Sequence, residues 1–156
     1  MILYHGTNVD FKTIDISKSK KNKDFGQGFY LTDIREQAER MAQRRARLGV
    51  GVPIVQEYEF YENCLNSLNV LTFDNASEEW ADFIFKNRDS ENGDFHHPYD
   101  IVIGPIADDG VAYLLGRFSE GTMSLKELAH ELEFRHLNKQ YFFGTERAIA
   151  LLKRIR

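Results

Sequence analysis

The chain has 156 residues, 42% of them hydrophobic and 13% aromatic, and its formal net charge is −4. This length and composition predict one domain, covering residues 1–156, with enough apolar surface to bury a core. The balance of 20 Lys and Arg against 24 Asp and Glu excludes a general affinity of the whole chain for nucleic acid.

Simple counts also exclude membrane insertion and disulfide bonding. No run of 18 apolar residues occurs, and the first four residues lack the charged flank and apolar core of a secretory signal. Cys64 is the one cysteine, so neither an internal disulfide nor a cysteine zinc cage can form. We therefore expect a cytoplasmic protein with no membrane partner, in which Cys64 has a structural role.

The N-terminal residues predict a short strand, Ile2–Tyr4, that ends in the polar group His5, Gly6 and Thr7. Polar residues at strand ends often carry binding or catalytic groups. The connection 8–24 has little periodicity, and loops of this length in compact domains often cover ligands. It carries four lysines, which either contact phosphate or form a solvated surface: Lys18, Lys20, Lys21 and Lys23.

Two closely spaced glycines precede the next predicted strand, within the segment 24–32. Glycine lets the backbone bend or approach a ligand closely, and the aromatic run that follows favours a strand. On that strand Tyr30 offers a flat ring suited to a planar ligand. A buried tight turn explains the same pattern without a ligand, because Gly-x-Gly alone is a weak signal.

Hydrophobic periodicity predicts the remaining helices and strands. Their mixture, without regular alternation of strand and helix, predicts an α+β fold with a mostly antiparallel sheet. The 34–48 helix carries several arginines that face either phosphate or solvent: Arg40, Arg44, Arg45 and Arg47. The elements in chain order are a helix over 34–48, strands over 54–61 and 69–73, a helix over 76–87, a strand over 99–105, helices over 111–115 and from Ser124 to Leu132, a strand over 140–143 and a closing helix.

Capping signals predict where these helices begin. Trp80 and Phe83 share one side of the 76–87 helix, and we predict that both lie in the core. Thr145 is expected to cap a closing helix that turns Leu151, Leu152 and Ile155 inward. The expected capping pairs are Asp33 with Glu36, Asn75 with Glu78, and Ser124 with Glu127.

No group of residues has a recognisable metal-ligand spacing. His96 and His97 are adjacent in a loop, which is poor geometry for two ligands of one metal. His130 and His136 fall on different sides of a helix, and the acidic pair 108–109 is more simply a solvated turn before a helix. We therefore expect no bound metal.

Three separate segments together resemble the motifs of the ADP-ribosyltransferase superfamily, in its branch similar to diphtheria toxin and poly(ADP-ribose) polymerase. Leu3–Thr7 resembles the first motif, and 26–32 resembles the second. The third motif is a glutamate that opens a late strand, and Gln140 occupies its place before Tyr141-Phe142-Phe143. The chain is also similar to a family of small bacterial domains in this superfamily over 24–32, 83–88 and 99–105.

This resemblance implies a split sheet that binds NAD, and it implies roles for particular residues. The backbone of Gly6 would bind the nicotinamide amide, and His5 would hold ribose hydroxyls. Tyr30 would stack on the nicotinamide. Thr7 and Gly28 belong to the same two NAD-binding motifs.

The resemblance leaves the catalytic carboxylate open. Gln140 supplies hydrogen bonds but neither negative charge nor a proton-accepting group, and this argues against polymer elongation. Glu146 is an alternative carboxylate, although a place in the first turn of the last helix, where it stabilises the N-terminus, is its simpler explanation. Arg88 and the lysines of 18–23 are candidates for binding pyrophosphate, whereas an ion pair with Asp100 is the alternative role of Arg88.

The expected function is an NAD-dependent mono-ADP-ribosyltransferase, with NAD as the substrate and an acceptor that is a protein, a nucleic acid or a small molecule. Small bacterial domains of this kind resemble toxins of toxin-antitoxin pairs or effectors, which implies a protein antitoxin as partner. A binding module that kept the fold and lost turnover is the alternative, and Gln140 favours it. An RNA-modifying relative is a third possibility, recognisable by salt-sensitive binding.

Overall fold

Two β-sheets, joined near their N-terminal strands, form the framework of the protein in the computed structural model. The structure describes residues 1–89, 95–133, 135 and 137–156. The sequence predicts a loop over 88–94, and its residues 90–94 lie outside the described residues. So do the position of His136 and the side chain of Cys64. Within the described residues the chain has the predicted α+β fold, with helices packed around mainly antiparallel sheets.

The two sheets contain seven strands among the described residues: β1 (Ile2–Thr7), β2 (Phe29–Leu31), β3 (Ile54–Phe60), β4 (Val70–Thr72), β5 (Ile101–Pro105), β6 (Lys139–Phe143) and β7 (Leu152–Arg154). The first sheet has the strand order β1-β3-β7, and the second has the order β2-β6-β5-β4. All paired strands are antiparallel except β4 and β5, which run parallel. An isolated bridge between Tyr4 and Thr32 joins the two sheets.

The helices cover the faces of these sheets and leave a gap where the sheets separate. The helices are α1 (Arg35–Leu48), α2 (Glu78–Arg88), α3 (Asp109–Ser119), α4 (Leu125–Leu132) and α5 (Glu146–Ile149). Helix α1 packs on β1 and β3, and the middle helices α2, α3 and α4 pack on one another. No helix among the described residues is long and apolar enough to cross a membrane.

Two buried apolar clusters hold the sheets and helices together. One contains Trp80, Ile84 and Phe142 and joins α2, α3 and α4 to the second sheet. The other contains Leu3, Phe60 and Phe143 and lies between the two sheets. Trp80 is fully buried and Phe83 is 9% exposed, which confirms their assignment to the core.

Several helix starts differ from the predicted caps. Helix α1 has no side-chain cap, because its N-cap residue is Ile34, whose side chain has no hydrogen-bond acceptor, and the pair of Asp33 and Glu36 forms no capping box. The backbone N–H of Ile34 donates to the hydroxyl of Thr32 at 3.1 Å. Ser77, not Asn75, caps α2. The box of Ser124 and Glu127 is formed as predicted.

The predicted closing helix is wrong in its second half. Thr145 caps α5 as expected, but the helix ends at Ile149 and the chain then forms β7. Leu152 to Arg154 pair with Phe60 to Tyr58 on the free edge of β3. The backbone hydrogen bonds of that edge favour a strand over a helix that the local apolar spacing alone would permit. Ile155 is 49% exposed rather than inward.

Candidate functional site

A cavity of about 690 Å³ opens where the two sheets separate. Its walls come from β1, β2, α1, the end of α2, the segment before the glycines, and Gln140 of β6. Cavities of this size are typical of sites for small molecules and cofactors. His5, Gly6, Tyr30 and Gln140 all line it, so the structure brings these four predicted residues into one space.

The backbone of Gly6 faces the gap between the sheets. Tyr4 and Thr32 exchange both backbone hydrogen bonds across the bridge, at 2.8 and 3.0 Å. Successive residues of an antiparallel strand direct their N–H and C=O groups to opposite edges, so Gly6 directs its own groups to the same edge as Tyr4. The strands diverge there, and a donor and an acceptor are therefore presented side by side at the cavity.

Gly6 also has a packing role that only glycine can fill. A Cβ atom at this position would lie 2.1 Å from the carbonyl oxygen of Ala38 and 2.9 Å from the amide nitrogen of Ala42. Both atoms belong to the backbone of α1, which cannot move aside like a side chain. The close approach of α1 to β1 that forms one wall of the cavity therefore depends on Gly6.

His5 is a buried, neutral imidazole. Its Nδ1 lies 2.8 Å from the carbonyl oxygen of Tyr30, and because a carbonyl only accepts, Nδ1 carries the proton and donates. In the neutral ring Nε2 is then an acceptor. Burial lowers the pKa of His5 to about 4, outweighing the hydrogen bond to Tyr30, and the nearby charges of Arg45 and Lys23 lower it further. This hydrogen bond spans the gap between β1 and β2.

Tyr30 is held at its hydroxyl and covered on its ring. The hydroxyl donates to the carbonyl of Gly26 at 2.6 Å and accepts from the backbone N–H of Phe25 at 3.0 Å. Burial raises the pKa of this phenol well above its ordinary value. The ammonium of Lys23 lies 4.7 Å from the ring centroid, a cation–π contact, and Phe142 meets the ring edge to face at 5.2 Å.

The two glycines of the segment before β2 serve the backbone rather than the ligand. Gly26 has a φ of +95°, a conformation that favours glycine and turns its carbonyl toward Tyr30. At Gly28 a Cβ atom would lie 2.2 Å from the ring of Phe142. Gly28 thus allows the chain to enter β2 against β6, and it does not line the cavity.

Gln140 is the residue of β6 that lines the cavity, and a carboxylate lies beside it. Its Nε2 donates to the carbonyl of Pro105 at 3.3 Å and lies 3.5 Å from Oδ2 of Asp24. The other carboxylate oxygen, Oδ1, accepts from Nε and Nη2 of Arg88 at 2.7 and 2.6 Å. Asp24 is the only carboxylate among the described residues that line the cavity.

Positive charge surrounds the rest of the cavity. Arg88 is paired with Asp24, but four more cationic side chains line the walls: Lys20, Lys23, Arg44 and Arg45. Burial lowers the pKa of Lys23, and repulsion from Arg45 and Lys20 lowers it further, while Asp24 opposes the change. An anion in the cavity would relieve this repulsion, so the arrangement favours a ligand that carries phosphate or carboxylate groups.

Three of the predicted site residues do not line the cavity: Thr7, Gly28 and Glu146. Thr7 lies beyond Gly6 on β1, and its hydroxyl bonds to the backbone of Val9. Glu146 lies in the first turn of α5, past the other end of β6 from Gln140. A carboxylate in the first turn of a helix interacts favourably with the positive N-terminal end of that helix. This is the simpler explanation of Glu146 given by the sequence.

The alternative ion pair of Arg88 with Asp100 is wrong. Arg88 pairs with Asp24, as described above, while Asp100 is almost fully buried and accepts from Arg147 at 2.7 and 3.0 Å and from Thr145 at 2.7 Å. These hydrogen bonds lower the pKa of Asp100 to about 2. They fix the start of α5 to the residue that precedes β5, and none of them involves Arg88.

Sequence reasoning gave no role to Asp24, although it lies within the segment that carries the resemblance. No local pattern marks it, because its neighbours in space are Arg88, 64 residues later, and Gln140, 116 residues later. Arg44 and Arg45 face the cavity, whereas Arg40 and Arg47 are not among its lining residues. No group of three or more His, Cys, Asp or Glu that could hold a metal lies together in the described part of the chain.

The chain belongs to the protein family of unknown function DUF3990, whose family model matches residues 1–154. No curated protein and no solved structure matches the chain.

Proposed function

We propose that the protein is an NAD-dependent mono-ADP-ribosyltransferase. The observation that carries this proposal is the paired donor and acceptor of the Gly6 backbone, which open into the same cavity as the neutral His5 and the ring of Tyr30. A carboxamide such as that of nicotinamide needs one donor and one acceptor side by side. The cations of the cavity suit the pyrophosphate of the same molecule.

In this proposal each wall of the cavity binds one part of NAD. The nicotinamide amide bonds the backbone of Gly6, its ring lies on Tyr30, and His5 binds a ribose hydroxyl. Because His5 is uncharged near neutral pH, it can hold the ribose without repelling the positive charge that develops there when the glycosidic bond breaks. The pyrophosphate lies among the lysines and arginines.

Lys23 covers the face of Tyr30 on which the nicotinamide ring is proposed to stack. Its ammonium rests over the ring of Tyr30, 4.7 Å from the centroid. A nicotinamide ring stacked on that face replaces the ammonium, which is then free to reach a phosphate oxygen on its flexible stem. The ligand thereby also removes the repulsion between Lys23 and Arg45.

Gln140 decides how far the chemistry proceeds. It carries no charge, so the proposal is single transfer to an acceptor, or hydrolysis of NAD when water takes the place of that acceptor, and not chain elongation. The second candidate function is a module that binds NAD or another nucleotide without turnover. The neutral side chain at this position is the observation that favours the second candidate.

Release of nicotinamide from NAD, measured together with NAD binding, separates the two functions. We expect the intact protein to bind NAD and to release nicotinamide from it. We expect Tyr30→Leu, which keeps an apolar side chain but removes the aromatic ring, to lose most of the binding and most of the release. Tyr113→Ala is the matched control, because Tyr113 is 68% exposed on α3 and does not line the cavity. Binding without release supports the module, and absence of binding removes both functions.

We further propose that the protein acts in the bacterial cytoplasm as a toxin or effector that a protein antitoxin neutralises. The expected result is that expression of the intact chain alone arrests bacterial growth and that His5→Ala relieves the arrest. Harmless overexpression of the intact, NAD-cleaving chain would contradict this part of the proposal alone, since it leaves the enzymatic activity standing.

A further inference from the structure

The carboxylate of Asp24 lies in the wall of the cavity and is 16% exposed as a side chain. Two sets of hydrogen bonds position it. Arg88 donates to Oδ1, and the backbone of the next two residues, Phe25 and Gly26, is hydrogen-bonded to the hydroxyl of Tyr30. A carboxylate held in this way keeps one orientation. Its second oxygen, Oδ2, is directed at Gln140.

The contact between Asp24 and Gln140 leaves both groups able to bind a ligand. At 3.5 Å, the separation of Nε2 and Oδ2 is at the outer limit of a hydrogen bond, so Oδ2 gives up little when a hydroxyl group of a ligand approaches it. Both hydrogen bonds of the Gln140 side chain in the described residues use Nε2. Its Oε1 is therefore the atom that can accept from a ligand.

Cleavage of a glycosidic bond in this cavity needs a negative charge close to the ribose. The ribose carbon takes on positive charge as its bond to the leaving nitrogen breaks, and cationic side chains surround the site. Gln140 has no charge to offset that positive charge, and Glu146 is not among the residues of the cavity. Among the described residues, Asp24 is the carboxylate that lines the cavity, and it lies directly beside the amide of Gln140.

We propose that Asp24 is the catalytic carboxylate of this site and that it works as a pair with Gln140. The inference rests on the proposed function, because it assigns a residue to that reaction. Gln140 binds a ribose hydroxyl through Oε1, and Asp24 places negative charge beside the forming oxocarbenium centre. Arg88 orients Asp24 through the other oxygen and is a positioning residue.

The reaction balances with Asp24 as the proton acceptor. The bond between the ribose C1 and the pyridinium nitrogen breaks, and its electron pair leaves with nicotinamide, which departs as a neutral molecule. The acceptor hydroxyl, or water, forms a new C–O bond to C1 and gives its proton to Oδ2 of Asp24. The carboxylic acid then releases that proton to solvent, so NAD and acceptor yield the ADP-ribosylated acceptor, nicotinamide and one proton.

The first test is Asp24→Asn, measured by nicotinamide release from NAD with water as the acceptor. Asparagine has the same shape, and its Oδ1 can still accept from Arg88. We expect release at saturating NAD to fall at least about 100-fold, while NAD binding measured by calorimetry changes by no more than about threefold, because charge stabilisation acts in the transition state.

The second test moves the charge to the other member of the pair. The double variant Asp24→Asn with Gln140→Glu keeps the net charge and shifts the carboxylate across a separation of 3.5 Å. We expect it to recover release at least about tenfold over Asp24→Asn alone, as for two residues that act together. Where Asp24→Asn alone fails to fold, the folded double variant is compared directly with the wild type, and loss of nicotinamide release to the background rate would then overturn the pair.

Arg88→Gln separates a catalytic from a structural role of Asp24. If Asp24 only anchored Arg88, removal of either partner would lower nicotinamide release to the same extent. We expect Arg88→Gln to lower it less than Asp24→Asn does, because Asp24 keeps its charge in that variant. Equal losses would overturn the assignment of Asp24.

The outcomes distinguish this inference from the proposed function. If the wild type releases nicotinamide and Asp24→Asn releases it no more than about tenfold more slowly, the proposed role of Asp24 is overturned. The proposed transferase function is not contradicted by that result. A folded double variant with no recovery also overturns the pair. A wild-type protein that neither binds nor cleaves NAD overturns the proposed function, and the role of Asp24 with it.

Discussion

Acidification from about pH 7.5 to about pH 5 should destabilise the protein through His5, in a window set by the buried state of its ring. The pKa of this imidazole falls from 6.5 to about 4 on folding, chiefly because burial disfavours the charged form. The unfolded chain therefore binds a proton in a range where the folded protein does not. The stabilising contribution is complete above pH 6.5 and is lost as the pH falls toward 4.

The size of the effect follows from the two values. A difference of about 2.5 pH units corresponds to about 3 kcal/mol when the acidification is complete. At pH 5 the unfolded imidazole is almost fully protonated and the folded one is mostly neutral, so about 2 kcal/mol of the free energy of unfolding is lost. The carboxylates contribute little between these pH values, because the unfolded pKa of aspartate lies near 3.9.

Urea denaturation of the wild type and of His5→Asn, at both pH values, measures this contribution. The asparagine amide can replace the Nδ1 donor to the Tyr30 carbonyl but does not titrate. His97, whose pKa is also lowered by burial, is present in both proteins and cancels in the comparison. We expect the wild type to lose about 2 kcal/mol more than the variant on acidification. Equal losses in the two proteins would show that His5 is not held neutral by the fold.

Three further perturbations test other parts of the structure. Gly6→Ala should lower the free energy of unfolding by at least about 2 kcal/mol, because the added Cβ meets the backbone of α1. The control is Gly116→Ala in α3, where no atom lies within 4 Å of an added Cβ, and it should raise the free energy of unfolding by about 1 kcal/mol. Asp100→Asn should lower stability at neutral pH by about 1–3 kcal/mol in urea titrations, and the contribution of Asp100 should disappear in the wild type as the pH falls from 3.8 toward 2. Raising NaCl from about 50 to about 500 mM should weaken ADP-ribose binding measured by calorimetry, whereas unchanged affinity would show that the cations of the cavity do not bind its phosphates.

The order of the strands and helices could be predicted because most of them carry a local signal. The alternation over 54–61 and the apolar run over 99–105 are properties of neighbouring residues, and they became β3 and β5 with small changes at the ends. The last seven residues, which follow the end of α5 at Ile149, could not be predicted in the same way. Their spacing suits a helix, and it is the edge of β3 that makes 152–154 a strand.

In the candidate site, too, local motifs could be recognised from the sequence, whereas contacts between distant segments could not. His5, Tyr30 and Gln140 could be proposed as a set from motifs, and the structure places them in one cavity. Their surroundings depend on contacts between distant segments, which no short motif contains. The neutral state of His5 needs the aromatic rings around it, and the position of Asp24 needs Arg88 from α2.

The charge of the chain shows why composition is a poor guide to the ligand of this cavity. The net charge of −4 argues against an anionic partner, yet four cationic side chains converge on the cavity: Lys20, Lys23, Arg44 and Arg45. Asp24 is the one carboxylate among the described residues that line it, and Asp24 is itself paired with Arg88. At physiological ionic strength the field of an exposed charge decays over about 8 Å, so carboxylates on the outer surface are screened from the cavity. Charges inside the cavity are screened less. A ligand that enters between the two sheets is therefore selected by the local cations, and phosphate groups are favoured despite the overall negative charge.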